Sequence, residues 1–129
     1  MLPAGSRLRR RADFVATLRS ARGSRAAGLL VVHVARPEAA TEDDALTARA
    51  GSAEGLLPTR VGFVVSRSVG AAVVRNRVRR RLRHLAAGQI DRLPPGSRVV
   101  VRALPASAGA TYDQLATALR AAVDRAVTA

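Results

Sequence analysis

The chain has 129 residues, enough for about one domain with a real core, and 22 basic residues against 9 acidic ones set its formal net charge at +13. Every basic residue is Arg, a bias that a GC-rich genome also produces, so the placement of the charge carries more information than the choice of Arg. There is no Cys, which excludes disulfides and thiolate zinc sites and fits a reducing cytoplasm; the longest apolar run, 29–34, is far too short to span a bilayer.

In chain order, residues 7–11 form a basic arm, and 12–20 read as a short helix with Phe14, Val15 and Leu18 on one face and Asp13 near its positive N-terminal end. The first 25 residues hold seven Arg and the single acid Asp13, as a transit peptide would, but the apolar helical spacing suits a folded domain. Residues 29–34 are a β-branched apolar strand. From 37 to 59 the composition shifts to Ala, Gly, Glu and Asp with no apolar period, the signature of a flexible loop. One Arg against five acids gives this loop −4 and leaves +17 on the rest of the chain. It is either a solubilising insertion or a mimic that competes weakly with a polyanion. Residues 60–66 and 98–104 are two further strands, the second framed by Pro94-Pro95-Gly96 and Pro105. Thr111-Tyr112-Asp113-Gln114 is a capping box, after which Leu115, Leu119, Val123 and Val127 recur every four residues in a closing helix. Helix, strand, strand, helix, strand, helix predicts a single α/β (α+β) two-layer sandwich over 1–129: a small mixed sheet of three to four strands with three helices.

The densest information lies between the second and third of these strands. No acid occurs between Glu54 and Asp91, and the middle of that stretch reads Val74-Arg75-Asn76-Arg77-Val78-Arg79-Arg80-Arg81-Leu82-Arg83. On a helix Val74, Val78, Leu82 and Leu85 fall on one face, and Arg75, Asn76, Arg79, Arg80 and Arg83 on the other. Solvated helix faces usually mix signs to gain about 0.2–0.5 kcal/mol per i,i+4 pair. This face does not, so it repels itself until a polyanion neutralises it. A membrane is a poor fit, because the seam lacks the Trp or Phe anchors of interfacial helices.

No catalytic constellation stands beside this helix. His33 and His84 are far apart in the sequence, the acids outside the loop are dispersed, and no Gly-rich phosphate loop exists. The aromatic residues are only Phe14, Phe63 and Tyr112, too few for a multi-aromatic stacking platform. Phe63 suits a core position; Phe14 either packs in the core or lines a groove for single-stranded RNA.

Residues 65–83, from Val65-Ser66-Arg67-Ser68-Val69-Gly70 through Arg75-Asn76-Arg77 to Arg83, resemble the signature of the bacterial ribonuclease P protein family. Arg-Leu-Arg-Arg-Arg-Ala-Asp-Phe at 7–14 and the strand near 99–103 resemble the same family in the same order. The resemblance implies an RNA-binding subunit of a tRNA-processing ribonucleoprotein endonuclease, whose catalytic RNA partner, with Mg²⁺, removes the 5′ leader of precursor tRNA. It implies RNA contacts at Arg67, Arg75, Asn76, Arg77, Arg79, Arg80 and Arg83. A leader cleft would lie between the first helix and the sheet, at Phe14, Leu18 and Val32, and the βαβ crossover would be left-handed, against the general rule. No catalytic or metal-binding protein residue and no obligate protein partner is implied. Ser68 replaces a basic residue of the signature, and Leu18, Leu29 and Val32 stand where relatives often carry aromatics. A ribosomal or other RNA-packing protein and a sequence-tolerant DNA binder are the competing readings.

Overall fold

Four strands form one mixed sheet in the order β1-β2-β4-β3: β1 (Arg22–Ala26), β2 (Leu30–Ala35), β3 (Arg60–Val65) and β4 (Arg98–Ala103). The computed structural model describes residues 7–8, 11–12, 17, 22–35 and 59–128. The three strands expected from the apolar runs are present. β1 is additional, because Arg-Gly-Ser-Arg-Ala has no apolar alternation and becomes a strand only through backbone pairing with β2, from Arg22↔Val34 to Ala26↔Leu30. Their turn places Ala27 and Gly28 at φ 54° and 68°, with the Leu29 N–H donating to the Ala26 carbonyl. Two successive left-handed residues match the twist of a hairpin, although Ala27 costs about 1–2 kcal/mol there relative to glycine.

β2 pairs antiparallel with β4, whereas β3 and β4 run parallel from Arg60↔Arg98 to Val65↔Ala103. Parallel neighbours cannot be joined by a hairpin, so the chain crosses over through α1 (Ala72–Ala87). It enters α1 by a 3-10 turn at Arg67–Val69 and by Gly70, whose φ of 151° is closed to most L side chains; a Cβ there would sit 3.3 Å from Val74 Cβ. Before β4, Pro94-Pro95-Gly96 makes a turn with Gly96 at φ 83°, and the Pro94 carbonyl accepts hydrogen bonds from Ser97 Oγ and Thr59 Oγ1. Thr59, placed at the end of the acidic loop by its composition, is therefore a buried anchor at the start of β3. Residues 37–58 lie outside the described residues.

The sheet's core face is built from aligned rows, Leu30–Ala103–Val65 and Val32–Val101–Phe63, across β2, β4 and β3. Over it α1 lays Val78, Leu82 and Ala86, and α2 (Tyr112–Thr128) lays Leu115, Ala118, Leu119, Ala122 and Val123. The two-layer sandwich is as expected. The predicted stripe of α2 holds only in part, since Val127 is 42% exposed. Steps of four residues advance about 40° around a helix, so three steps carry Val127 out of the face that Leu115 centres. The capping box forms reciprocally: Thr111 N–H donates to Gln114 Oε1 at 2.9 Å and Gln114 N–H to Thr111 Oγ1 at 3.1 Å. Of the predicted first helix, Ala12 and Thr17 are helical, with Thr17 fully buried, and Arg11 of the preceding arm is helical too; Phe14 and Leu18 lie outside the described residues.

Candidate nucleic-acid interface

The seam of α1 anchors it, with Val78 and Leu82 fully covered and Val74 and Leu85 packed against the core margin. Ala86 continues the buried face, and the arginines divide into two flanks. Arg77 and Arg81 lean toward the 3-10 helix at Pro105–Gly109 and the start of α2: Arg77 Nη2 donates to the Ala108 carbonyl at 3.3 Å, and Arg81 Nη1 to the Ala110 carbonyl at 3.2 Å. Arg75, Arg79 and Arg83 form a row along the opposite flank, with Asn76 and Arg80 exposed beside it. Asn76 Oδ1 accepts from Arg79 Nη1 at 3.1 Å, which orients the guanidinium without neutralising it. Arg67 is exposed at the entry to the helix.

Among the described residues, no arginine of α1 takes part in an ion pair; the salt bridge that does form joins Arg92, beyond the helix, to Asp124 of α2. The first turn of α1 contains no acid. Five outward guanidinium groups without counter-charge within one helix produce a strongly positive ridge on a rigid scaffold, a ready seat for phosphates. Asn76 supplies a donor and acceptor inside the cationic cluster. At the C-terminal end of the ridge, His84 Nδ1 and Tyr112 OH share a hydrogen bond, so the one tyrosine ties α1 to α2.

Two features were not read from the sequence. The first is Arg81: Arg80 and Arg83 near it are exposed, but it is half-buried and structural, which only the position of α2 decides. The second is the sheet face turned away from the two helices, where Arg60 and Arg98 are direct cross-strand neighbours and Arg102 is exposed beside Val31 and Val64. Like charges opposite one another destabilise a sheet by a few tenths of a kcal/mol or more unless an anion relieves them. The four-residue spacing of Arg98 and Arg102 within a strand already places them on one face. Val32, expected at the leader cleft, is corrected by its burial: at 1% exposure it belongs to the core under the helices, and the pleat gives the opposite face to Val31 and His33.

Fold and ridge together define a small mixed α/β sandwich that presents one polycationic helix to a polyanion. A profile of the Ribonuclease P family matches residues 2–127. The ribonuclease P protein component of Streptomyces bikiniensis is 52% identical over 126 residues, spanning 97% of this chain and 94% of the relative. That of Salinispora tropica is 46% identical over 127 residues, spanning 95% and 91%. The RNase P protein of Staphylococcus aureus superposes with a TM-score of 0.71 at 20% identity, over 94% of each chain. That of Thermotoga maritima, solved in complex with 1-(4-fluorophenyl)-2-thiourea, superposes with a TM-score of 0.69 over 92% of this chain. The chain belongs to the ribonuclease P protein family.

Proposed function

We propose that the chain works as the RNA-binding subunit of ribonuclease P, holding the catalytic RNA through α1 and the 5′ leader of precursor tRNA on the sheet. The observation that carries the reading is the unpaired arginine ridge of α1, on a scaffold whose relatives are named ribonuclease P protein components. Arg67, Arg75, Asn76, Arg77, Arg79, Arg80 and Arg83 meet phosphates of the RNA subunit, and affinity comes largely from release of the counterions those phosphates had condensed. Arg77 contributes as a guanidinium already steered by the Ala108 carbonyl.

The leader lies between the first helix, through Phe14 and Leu18, and the sheet face bearing Val31, His33 and Arg102, with no part for Val32. Apolar contact and charge replace most of the stacking. Among the described residues no three His, Asp or Glu side chains gather as a metal site. The Mg²⁺ that hydrolysis requires belongs, in this reading, to the RNA. The work is done in the cytoplasm without a membrane; among the described residues no helix is long and apolar enough to cross one.

Purified protein, the cognate RNA subunit and their mixture, each given precursor tRNA at low Mg²⁺, test the proposal. Leader release should require the RNA and be enhanced by the protein. Metal-dependent cleavage by RNA-free protein would refute it, as would recovery of ribosomal RNA alone with protein isolated from cells.

A further inference from the structure

Beside the edge of β3, under the Arg79–Arg83 side of α1, the fold leaves a hollow of about 270 Å³ walled by Arg7, Arg79 and Arg83 and floored by Val61, Gly62 and Phe63, with Leu8 closing it. Arg7 reaches this place because its segment extends the sheet: Arg7 bridges Val61 in parallel, and the Leu8 N–H donates to the Val61 carbonyl at 3.0 Å. Three guanidinium groups from two remote parts of the chain thus converge on one concave surface. None of the residues lining it is acidic.

Arg7 Nε is buried and makes no hydrogen bond. A buried donor left without a partner costs about 1–3 kcal/mol, more when it belongs to a charged group; Arg7 is itself part-exposed, and an anion in the hollow that it lines would offset that cost. A ligand that fits the hollow must be anionic, because three cationic residues line it. It must offer several oxygens in different directions, because guanidinium forks arrive from the strand edge and from two successive turns of the helix. A tetrahedral phosphodiester meets both demands. The part-exposed ring of Phe63 suits the sugar or base attached to it.

We infer that this hollow seats one phosphodiester of a bent or single-stranded RNA segment, and that Arg7 is a phosphate ligand acting jointly with Arg79 and Arg83. The inference rests on the RNA-binding reading above and adds to it a defined subsite and a residue from outside the helix. Two RNAs carry the same chemistry, the RNA subunit and the precursor leader.

The test is a double-mutant cycle in the full chain, with Arg7→Ala, Arg83→Ala and the double variant. Dissociation constants are measured over a salt series for the RNA subunit, and for precursor and mature tRNA with holoenzyme at saturating RNA subunit. Each single variant should weaken one of these arms about fivefold at 0.15 M salt and lower its logarithmic salt slope by one phosphate's worth, about 0.7–0.9. The double variant should lose little more than either single, because both remove the same phosphate. Loss in the RNA-subunit arm names the subunit as the source; loss confined to precursor tRNA names the leader. Losses that multiply toward about twenty-five-fold, or an Arg7→Ala variant that binds every RNA like the wild type, overturn the seat while leaving the broader function intact. A wild-type chain that fails to bind the RNA subunit overturns the function itself and the seat with it. Should Arg7→Ala not fold, the cycle of Arg79→Ala with Arg83→Ala reads the same seat from the helix side, and multiplying losses there refute it equally.

Discussion

Arg81 and Arg83 are two residues apart on one helix and identical in type, yet the structure gives them opposite duties. Arg81 is half-buried and donates to the Ala110 carbonyl, just before α2 begins, whereas Arg83 is exposed and makes no described hydrogen bond. Hydrogen bonds from a charged donor contribute about 1.5–3 kcal/mol, and the partial exposure of Arg81 argues for the lower end of that range. Arg81→Ala should therefore destabilise the fold by about 1–2 kcal/mol, or roughly 3–8 °C in melting temperature for a domain of this size. Arg83→Ala should stay within about 0.5 kcal/mol of the wild type. Binding should reverse the order: a phosphate contact contributes about 0.9 to the salt slope, which at 0.15 M salt is a factor of about 5, or about 1 kcal/mol. Thermal unfolding followed by circular dichroism, with RNA-subunit binding measured between 0.05 and about 0.3 M salt, reads both quantities on the same samples. If Arg81→Ala melts like the wild type, or Arg83→Ala unfolds early while its salt slope is unchanged, the division of the helix into a structural and an RNA-facing flank is wrong.

Gly70→Ala forces an L residue to φ 151° and brings its Cβ within 3.3 Å of Val74, so denaturant unfolding should show a loss of about 1–3 kcal/mol, with the entry to α1 disturbed. Thr111→Ala removes one half of the reciprocal cap of α2 and should lower stability by about 0.5–2 kcal/mol in the same assay, with RNA affinity at saturating folded protein unchanged. Phe14→Ala should weaken binding of precursor tRNA to the holoenzyme by about 1–3 kcal/mol if one base stacks on it, while mature tRNA is held as before; equal losses for both substrates would place Phe14 in the core. Arg102→Ala, on the sheet face away from the helices, should likewise weaken precursor tRNA selectively and leave assembly with the RNA subunit intact, as read by the two affinities measured separately.

What could be determined from sequence follows from interactions that are local or periodic. The seam of α1, the reciprocal cap at Thr111 and Gln114, the Pro94–Gly96 turn and the three apolar strands are all set within one or two turns of chain, and the structure reproduces them. The absence of acids around the arginine run likewise showed in the one-dimensional string and survives, among the described residues, as a ridge without ion pairs. Tertiary structure decided whatever depends on residues distant in sequence. β1 has no pattern of its own and exists because β2 offers an edge. Val32 and Val31 are chemically alike, and only the side of the sheet on which the helices settle buries the first and not the second. Arg81 differs from Arg83 only because the Ala110 carbonyl, 29 residues away, comes within 3.2 Å of it. Arg7 meets Arg79 and Arg83 through a bridge to Val61, 54 positions further along the chain (61 less 7), a convergence that no spacing rule contains. Helical and strand periods report which side of an element is apolar; which charges share a surface is fixed only when the elements pack.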